Sequence, residues 1–370
     1  MLLFTPGPTP VPEAARVAMA SETLHHRTPE FEAIFKEARE SLLKLFNMDE
    51  AVMIAGSGTA AMEASIVNLC RKKALTVNAG KFGERFGKIV EAHGKELVEL
   101  KYEWNTPAAV EDILRAIEKH GDIDTFAIQV CESAGGLRHP VEEIAKAIKE
   151  KNPNIIVVAD GITAVAVEPI DVTNIDILIT GSQKALMLPP GLAMLGISQA
   201  AIERIGKGRG YYLNLASEIA KQQKNTTAYT AATTLIIGLN KIFELIESAG
   251  GKEELYRVTA ARSKALIAAL EVLNLKIYPK NAAKSMATVI DKDAEKIRKL
   301  LKESYGINVA GGQDHLKGKI FRINNMGLIA SGDMLWVVDS VESALADLGR
   351  LEYNGIAAKT FSQKMKSELA

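Results

Sequence analysis

With 370 residues the chain is too long for one simple core, and one large plus one smaller domain is the natural expectation. Its 45 lysines and arginines balance 45 aspartates and glutamates, which argues against a nucleic-acid partner or an anionic membrane surface. A hydrophobic content of 47% with 24% charged residues describes a soluble globular protein and excludes a disordered one.

The N-terminal Met-Leu-Leu-Phe-Thr-Pro-Gly-Pro lacks the charged region and long apolar run of a signal peptide. Thr28-Pro29-Glu30 reads as a helix start with proline in the first turn. Phe31, Ile34, Phe35, Leu42, Leu45 and Phe46 follow at helical spacing on one apolar face. Short apolar runs then alternate with amphipathic stretches, and the expected strands are Ala51–Ala55, Leu75–Ala79, Glu96–Leu100, Phe126–Val130, Ile155–Asp160, Ile177–Ser182 and Leu192–Ser198. Strands alternating with helices need crossover connections. The expected fold is therefore α/β, with a mostly parallel seven-stranded sheet covered on both faces.

Past residue 235 the texture changes. Leu235–Gly250 and Glu253–Leu273 read as long helices, with Gly250-Gly251 as a break between domains. Ala287–Ile290 and Lys319–Ile323 read as strands interleaved with the helices Asp293–Tyr305 and Gly332–Arg350, which makes a smaller α+β domain. The polar tail Glu352–Ala370 is either a terminal helix or a frayed end. The expected division is an N-terminal segment 1–15, a large domain 16–249 and a small C-terminal domain 250–370. Cys70 and Cys131 both lie in apolar surroundings, which suggests a reducing compartment without a disulfide framework. No apolar run is long enough to span a membrane, and the cytoplasm is the expected location.

Chemistry concentrates at three strand ends. Ile177-Leu-Ile-Thr-Gly-Ser-Gln-Lys184 is an apolar run that ends in small polar residues and an amine, followed by a loop with Pro189, Pro190 and Gly191. Open α/β folds put their ligands at such carboxyl edges, and a desolvated lysine there is readily deprotonated and can form a Schiff base with an aldehyde. Ile155-Ile-Val-Val-Ala-Asp160-Gly161 delivers a carboxylate that, if buried, needs a cationic partner such as a protonated pyridine nitrogen. Ala55-Gly-Ser-Gly-Thr-Ala-Ala61 follows the first strand and opens a helix whose free N–H groups attract a phosphate. Alone, each has an ordinary reading: a solvated loop lysine, a turn aspartate, a packing turn. Together they match one cofactor, because pyridoxal phosphate carries an aldehyde, a basic ring nitrogen and a phosphate.

With these marks the chain resembles the class V (fold type I) aminotransferases, specifically the alanine–glyoxylate/serine–pyruvate group. The resemblance runs over nearly the whole length. It is carried by Thr5-Pro-Gly-Pro-Thr9, His25-His-Arg-Thr-Pro-Glu-Phe31, Gly56-Ser-Gly-Thr-Ala-Ala-Met-Glu-Ala64, Asn78-Ala-Gly-Lys-Phe-Gly-Glu-Arg85, Glu132-Ser133, Asp160 and Gly181-Ser-Gln-Lys-Ala185. It implies that Lys184 is the Schiff-base lysine and Asp160 the partner of the pyridine nitrogen. By the same resemblance Ser57, Gly58, Thr59 and Gln183 hold the phosphate, Phe82 stacks on the ring and Ser133 hydrogen-bonds near it. Arg322 takes the substrate carboxylate, and Gly7, in the N-terminal segment near the active site, lies at the substrate. A homodimer with shared active sites is implied too, in which Thr227 and Thr230 reach the phosphate of the neighbouring subunit.

The segment Asn225-Thr-Thr-Ala-Tyr-Thr-Ala-Ala232 departs from the family pattern, with Thr227 where relatives often have tyrosine and Ala232 where they have proline. Phe82 stands where many relatives carry tryptophan. Phe82 also reads as plain core and Ser133 as a turn residue before Gly135-Gly136. The expected activity transfers the amino group of alanine or serine to glyoxylate or pyruvate. Phosphoserine or aminoethylphosphonate transamination stays open through His25, His26 and Arg27, as does a lyase of the same fold; a plain phosphate-ligand binder is the non-enzyme reading. Adjacent histidines point apart, so no metal site is expected at His25 and His26.

Overall fold

All seven expected strands form, as Glu50–Ala55, Lys73–Asn78, Glu96–Lys101, Thr125–Gln129, Ile156–Asp160, Ile177–Gly181 and Leu192–Ile197, in a computed structural model that describes Met1–Ala370. They make one sheet, in the spatial order 50–55, 192–197, 177–181, 156–160, 125–129, 73–78, 96–101. Leu192–Ile197 runs antiparallel to both neighbours and every other pairing is parallel. The cause is local. The connection Ser182–Gly191 is too short to carry a crossover helix, so the chain turns straight back.

Pleat alternation sends each strand's side chains into two cores. Met53, Val157, Ala159 and Leu178 pack toward the helices Pro29–Phe46, Val141–Lys151 and Thr233–Ser248. Val52, Ile54, Ile156, Val158 and Ile179 pack toward the helices Gly58–Leu69, Lys81–Ala92, Gln199–Ile205 and Leu215–Gln222. Phe31 and Phe35, fully buried on one helix face, each contribute about 1.5–3 kcal/mol by leaving water. Burial on both faces explains why these strands read as continuous apolar runs.

The smaller sheet has five strands in the order Leu2–Phe4, Ile307–Gly311, Ile320–Asn324, Met286–Ile290, Lys276–Ile277. Its central pair is the pair legible in the sequence. Leu2–Phe4 joins it by parallel pairing with Ile307–Val309, so the chain's first residues belong to the C-terminal sheet. The tail is a helix, Ile356–Leu369: the buried Glu342 carboxylate accepts the N–H groups of Gly355, Ile356 and Ala357, and Phe361 anchors it in the core. We propose Gly250-Gly251 as the domain boundary, where φ angles of 106° and 82° separate the helices Thr233–Ser248 and Gly251–Glu271.

Two features position the site. The parallel strands open their carboxyl ends, among them Ala55, Asp160 and Gly181, on one edge of the sheet. The small sheet is tied beside that edge by Arg138 N–H to Asn281 O and Ala283 N–H to Gly136 O, and by Glu168 paired with both Arg138 and Lys284.

Candidate active site

Strand Ile177–Gly181 is buried throughout, and the loop after it is pinned by Ser182, whose hydroxyl donates to Pro189 O and accepts from Leu192 N–H. That loop presents Gln183 and Lys184 at the open edge. The segment Thr5–Thr9 crosses above them: Thr9 N–H donates to Gln183 O, Thr9 Oγ1 donates to Lys184 O, and Lys184 Nζ donates to Pro6 O. A Cβ on Gly7 would stand 2.4–2.7 Å from the Lys184 side chain, so only glycine fits there, and its φ of 107° favours glycine as well. Burial, then repulsion from Arg322, brings the Lys184 amine down from 10.5 to about 8, against the pull of Asp160.

Asp160 ends the adjacent strand and is 4% exposed. Its Oδ1 accepts the Ile162 N–H at 2.9 Å, while Lys184 and Arg85 reach it through charge alone. Burial pushes it up to about 6 despite those three influences. A carboxylate so enclosed calls for a cation to complete it.

Across the sheet Ser57 precedes the helix Gly58–Leu69, and no side chain caps that end. Apart from Ala60 N–H, which donates to Ser57 O at 2.8 Å, its first N–H groups are left for an anion. A Cβ on Gly58 would lie 2.4 Å from Ile162 Cδ1, so glycine lets this turn approach the loop after Asp160. Gln183 Oε1 is buried without a partner. An enclosed amine, a carboxylate without an ion pair and an uncapped helix end together fit pyridoxal phosphate, its aldehyde, ring nitrogen and phosphate in turn.

Phe82 lies half-buried in the first turn of Lys81–Ala92, with the Arg85 guanidinium 4.7 Å from its ring centroid. The start of this helix is held by Glu132, a fully buried carboxylate that accepts from Phe82 N–H at 3.0 Å, Gly83 N–H at 2.9 Å and Ala134 N–H at 3.0 Å. Burial pushes Glu132 up to about 7 even so. Glu132 and Arg85 stand in the motifs that carry the family resemblance, which gives neither a role; a carboxylate at the end of an apolar run is the signal for the first.

Arg322 comes from the small sheet, in register with Thr288 and Ala310, and is 8% exposed. Its donors go to neutral carbonyls: Nε and Nη2 to Gly311 O at 3.2 and 2.7 Å, and Nη1 to Ser133 O at 2.6 Å. Ser133 thus holds Arg322 through its carbonyl. A guanidinium has five N–H groups, so two remain for an anion. Glu132 acts on Arg322 through charge.

Thr227 and Thr230 stand apart from this group. Thr227 Oγ1 donates to Tyr229 O, Thr230 is exposed, and neither hydrogen-bonds to the Ser57 turn of its own chain. Their loop leans on the sheet through Tyr229, stacked on Tyr211 and Tyr212, and Tyr212 Oη donates to Ala55 O at 3.0 Å. The rings of His25 and His26 lie 4.8 Å apart, and no group of three or more His, Cys, Asp or Glu side chains is placed to hold a metal ion.

Comparison with known proteins agrees with this geometry. The family model of the class V aminotransferases matches residues 8–343. A Helicobacter pylori protein described as an uncharacterized aminotransferase is 49% identical over 98% of both chains. The solved aspartate aminotransferase of subgroup IV from Thermus thermophilus superposes with a TM-score of 0.88 at 31% identity, covering 94% of this chain and 99% of that one. A serine–glyoxylate aminotransferase from Methylorubrum extorquens is 28% identical over 94% of this chain and 91% of its own. Family and fold coincide along nearly the whole sequence, and the chain belongs to the class V aminotransferases, pyridoxal-phosphate enzymes of fold type I.

Proposed function

We propose that this aminotransferase moves the amino group of a small L-amino acid, alanine or serine, to a small 2-oxo acid, glyoxylate or pyruvate, in ping-pong fashion. Arg322 carries the reading. It is a buried guanidinium with no ion pair, close enough to Lys184 to lower its pKa, and it suits one carboxylate. A dicarboxylic donor would need a second free cation. Lys81, on the helix that carries Phe82, is already paired with Asp314 at 3.0 Å and Glu84 at 3.5 Å, and Arg85, which has no ion pair, is engaged by Thr59 Oγ1 and the Phe82 ring.

Lys184 would hold the cofactor's aldehyde, Asp160 its ring nitrogen and Phe82 its ring face. Ser133 would lie near the ring, and Ser57, Gly58, Thr59 and Gln183 would hold the phosphate, joined in a homodimer by Thr227 and Thr230 of a second copy. When bound, pyridoxal phosphate supplies an aldehyde and a ring that withdraws electrons from the substrate's Cα. Arg322 then orients the amino acid by its α-carboxylate, beside Gly7. Lys184 Nζ, freed when the substrate's amino group replaces it at the aldehyde and neutral in part near pH 8, would then be the base placed to accept the Cα proton. The Thr5–Thr9 segment covers Lys184 and keeps water from the amine.

The rivals have less support. His25 and Arg27 are exposed, and their hydrogen bonds do not reach Arg322, which leaves no phosphate-binding set for phosphoserine or a phosphonate in one chain. Cys131 is buried against Ser285, and its thiol is pushed up to about 11, so a desulfurase-type lyase lacks its nucleophile.

The test is a half-reaction. L-alanine, L-serine and L-aspartate are each added without an acceptor to the enzyme loaded with pyridoxal phosphate, and loss of the visible band to the pyridoxamine form is timed. Alanine or serine should be fastest, with glyoxylate or pyruvate restoring the band; a faster aspartate would overturn the monocarboxylate reading. Arg322→Leu should raise KM for the amino acid on the order of a hundredfold, the loss of a bidentate charge-assisted contact, and leave cofactor affinity near wild type. A KM unchanged in that variant would remove Arg322 from the substrate.

The capture of added pyridoxal phosphate should depend on pH with a definite sign. Because the Lys184 pKa is lowered, the neutral, nucleophilic amine appears as pH rises through about 8. Stopped-flow rates should climb between pH 7 and 9 and level off, all on the order of one unit either side of that value. A rate still climbing toward pH 10.5 would mark an ordinary lysine.

A further inference from the structure

Arg85 is absent from the transamination reading, yet it touches two of its parts and acts on two more through charge. It lies three residues after Phe82 on the helix Lys81–Ala92, the spacing that places two side chains on one face. Its guanidinium sits over the Phe82 ring, 4.7 Å from the centroid. Its Nη1 donates to Thr59 Oγ1 at 2.9 Å, on the turn that opens the helix Gly58–Leu69. Its charge is felt at both Asp160 and Lys184. No carboxylate pairs with it within 4.0 Å, and its side-chain hydrogen bond and cation–π contact are both with groups of the candidate cofactor site.

The consequences are chemical. Thr59 accepts from Arg85, so the hydroxyl's own proton stays free to donate toward an anion at the helix end, and the charged donor polarises it in that direction. The cation on one face of Phe82 fixes the ring's tilt and leaves the opposite face for a second aromatic system. A lysine at this position would keep the charge but not the planar fork that stacks and donates at once.

We propose that Arg85 is the positioning residue of the pyridoxal-phosphate site, holding the Phe82 ring and the Thr59 hydroxyl in their binding geometry without touching substrate. This rests on the assignment of Lys184 and its neighbours to that cofactor.

The experiment uses the full-length protein, wild type and the variants Arg85→Met, Arg85→Lys, Thr59→Val and Arg85→Met/Thr59→Val. Three readouts are taken: the melting temperature without cofactor, the Kd for pyridoxal phosphate from its visible absorbance, and the visible circular dichroism of the bound cofactor. Arg85→Met should melt within about 3 °C of wild type, since a half-buried side chain with no ion pair contributes little to folding. Its Kd should weaken about tenfold or more, from loss of a stacked cation and a charge-assisted bond. Arg85→Lys should recover part of the affinity but not the dichroism, because only the planar group orients Phe82. The double variant should lose less than the product of the two single losses, since Arg85 acts through Thr59.

Wild-type Kd and dichroism in Arg85→Met would overturn the proposal, and so would fully multiplicative losses, which mean independent contacts with the cofactor. Should Arg85→Met fail to fold, the Arg85→Lys pair of readouts decides: full dichroism in that variant also overturns it. Absence of a visible band in the wild type would instead remove the cofactor assignment itself, and the proposal with it.

Discussion

Lys184→Ala is expected to abolish transamination, with a loss of roughly 10⁴-fold or more, because a positioned general acid–base alone supplies about 10²–10⁴-fold and the covalent hold on the cofactor goes with it. Pyridoxal phosphate should still bind through the helix Gly58–Leu69 and the Asp160 carboxylate, but with the spectrum of the free aldehyde. Stability gives a second, independent signature. The Lys184 pKa is depressed in the folded chain, so between about 8 and 10.5 the unfolded chain carries the extra proton and wild-type stability rises with pH across that window. The effect is at most about 3 kcal/mol. It should vanish in Lys184→Ala, so the difference between urea melts of the two proteins at pH 7.5 and 9.5 isolates it. Turnover by the variant would sink the assignment of Lys184. A missing pH difference would show that its amine is solvated.

The fold was legible wherever burial is two-sided. Strands such as Ile156–Asp160 and Ile177–Gly181 open on an apolar run, Ile156–Ala159 and Ile177–Ile179, because both faces are covered, and a run of that kind nears its end at the first polar residue. Asp160 and Lys184 could be read for the same reason: they are the polar residues at, or just beyond, those ends. Leu2–Phe4 could not, since three residues carry no period and their pairing partner, Ile307–Val309, lies at the other end of the chain. Ile307–Gly311 was hidden by Asn308 and Gly311, which break its apolar pattern, and it is held by neighbours on both sides, Leu2–Phe4 along residues 307–309 and Phe321–Arg322 along 310–311.

The same distinction runs through the site. Residues whose chemistry depends on their own strand end were readable; residues whose chemistry depends on a distant partner were not. Arg85 donates to Thr59, Glu132 accepts from the backbone of Phe82 and Gly83, and the Ser133 carbonyl accepts from Arg322. The Pro6 carbonyl that receives Lys184 Nζ is a backbone group, and side-chain identity says nothing of it. Family resemblance named the motif around each of these, while the contact that gives each its role became visible only with the fold.

Asp160→Asn should separate stability from function with opposite signs. In the folded chain the Asp160 pKa is raised from 3.8 to about 6, so stability falls as pH rises through that window and the penalty is complete by pH 7. It amounts to about 3 kcal/mol, against which an asparagine NH₂ left without acceptors costs about 1–2 kcal/mol. The amide oxygen can still accept the Ile162 N–H. The cofactor-free variant should therefore be more stable than wild type by about 1 kcal/mol at pH 7 and lose that advantage below pH 5, where the wild-type carboxyl is protonated. Turnover should fall by roughly a hundredfold or more, because a neutral amide cannot hold a proton on the ring nitrogen that Asp160 would face. Pyridoxal phosphate should also raise the melting temperature of wild type more than that of the variant, since the cation that relieves the buried charge no longer finds one. Paired melts with and without the cofactor, alongside kcat, check all three. An Asp160→Asn protein that is both less stable and fully active would mean that the carboxylate is a structural turn residue and that the ring nitrogen lies elsewhere.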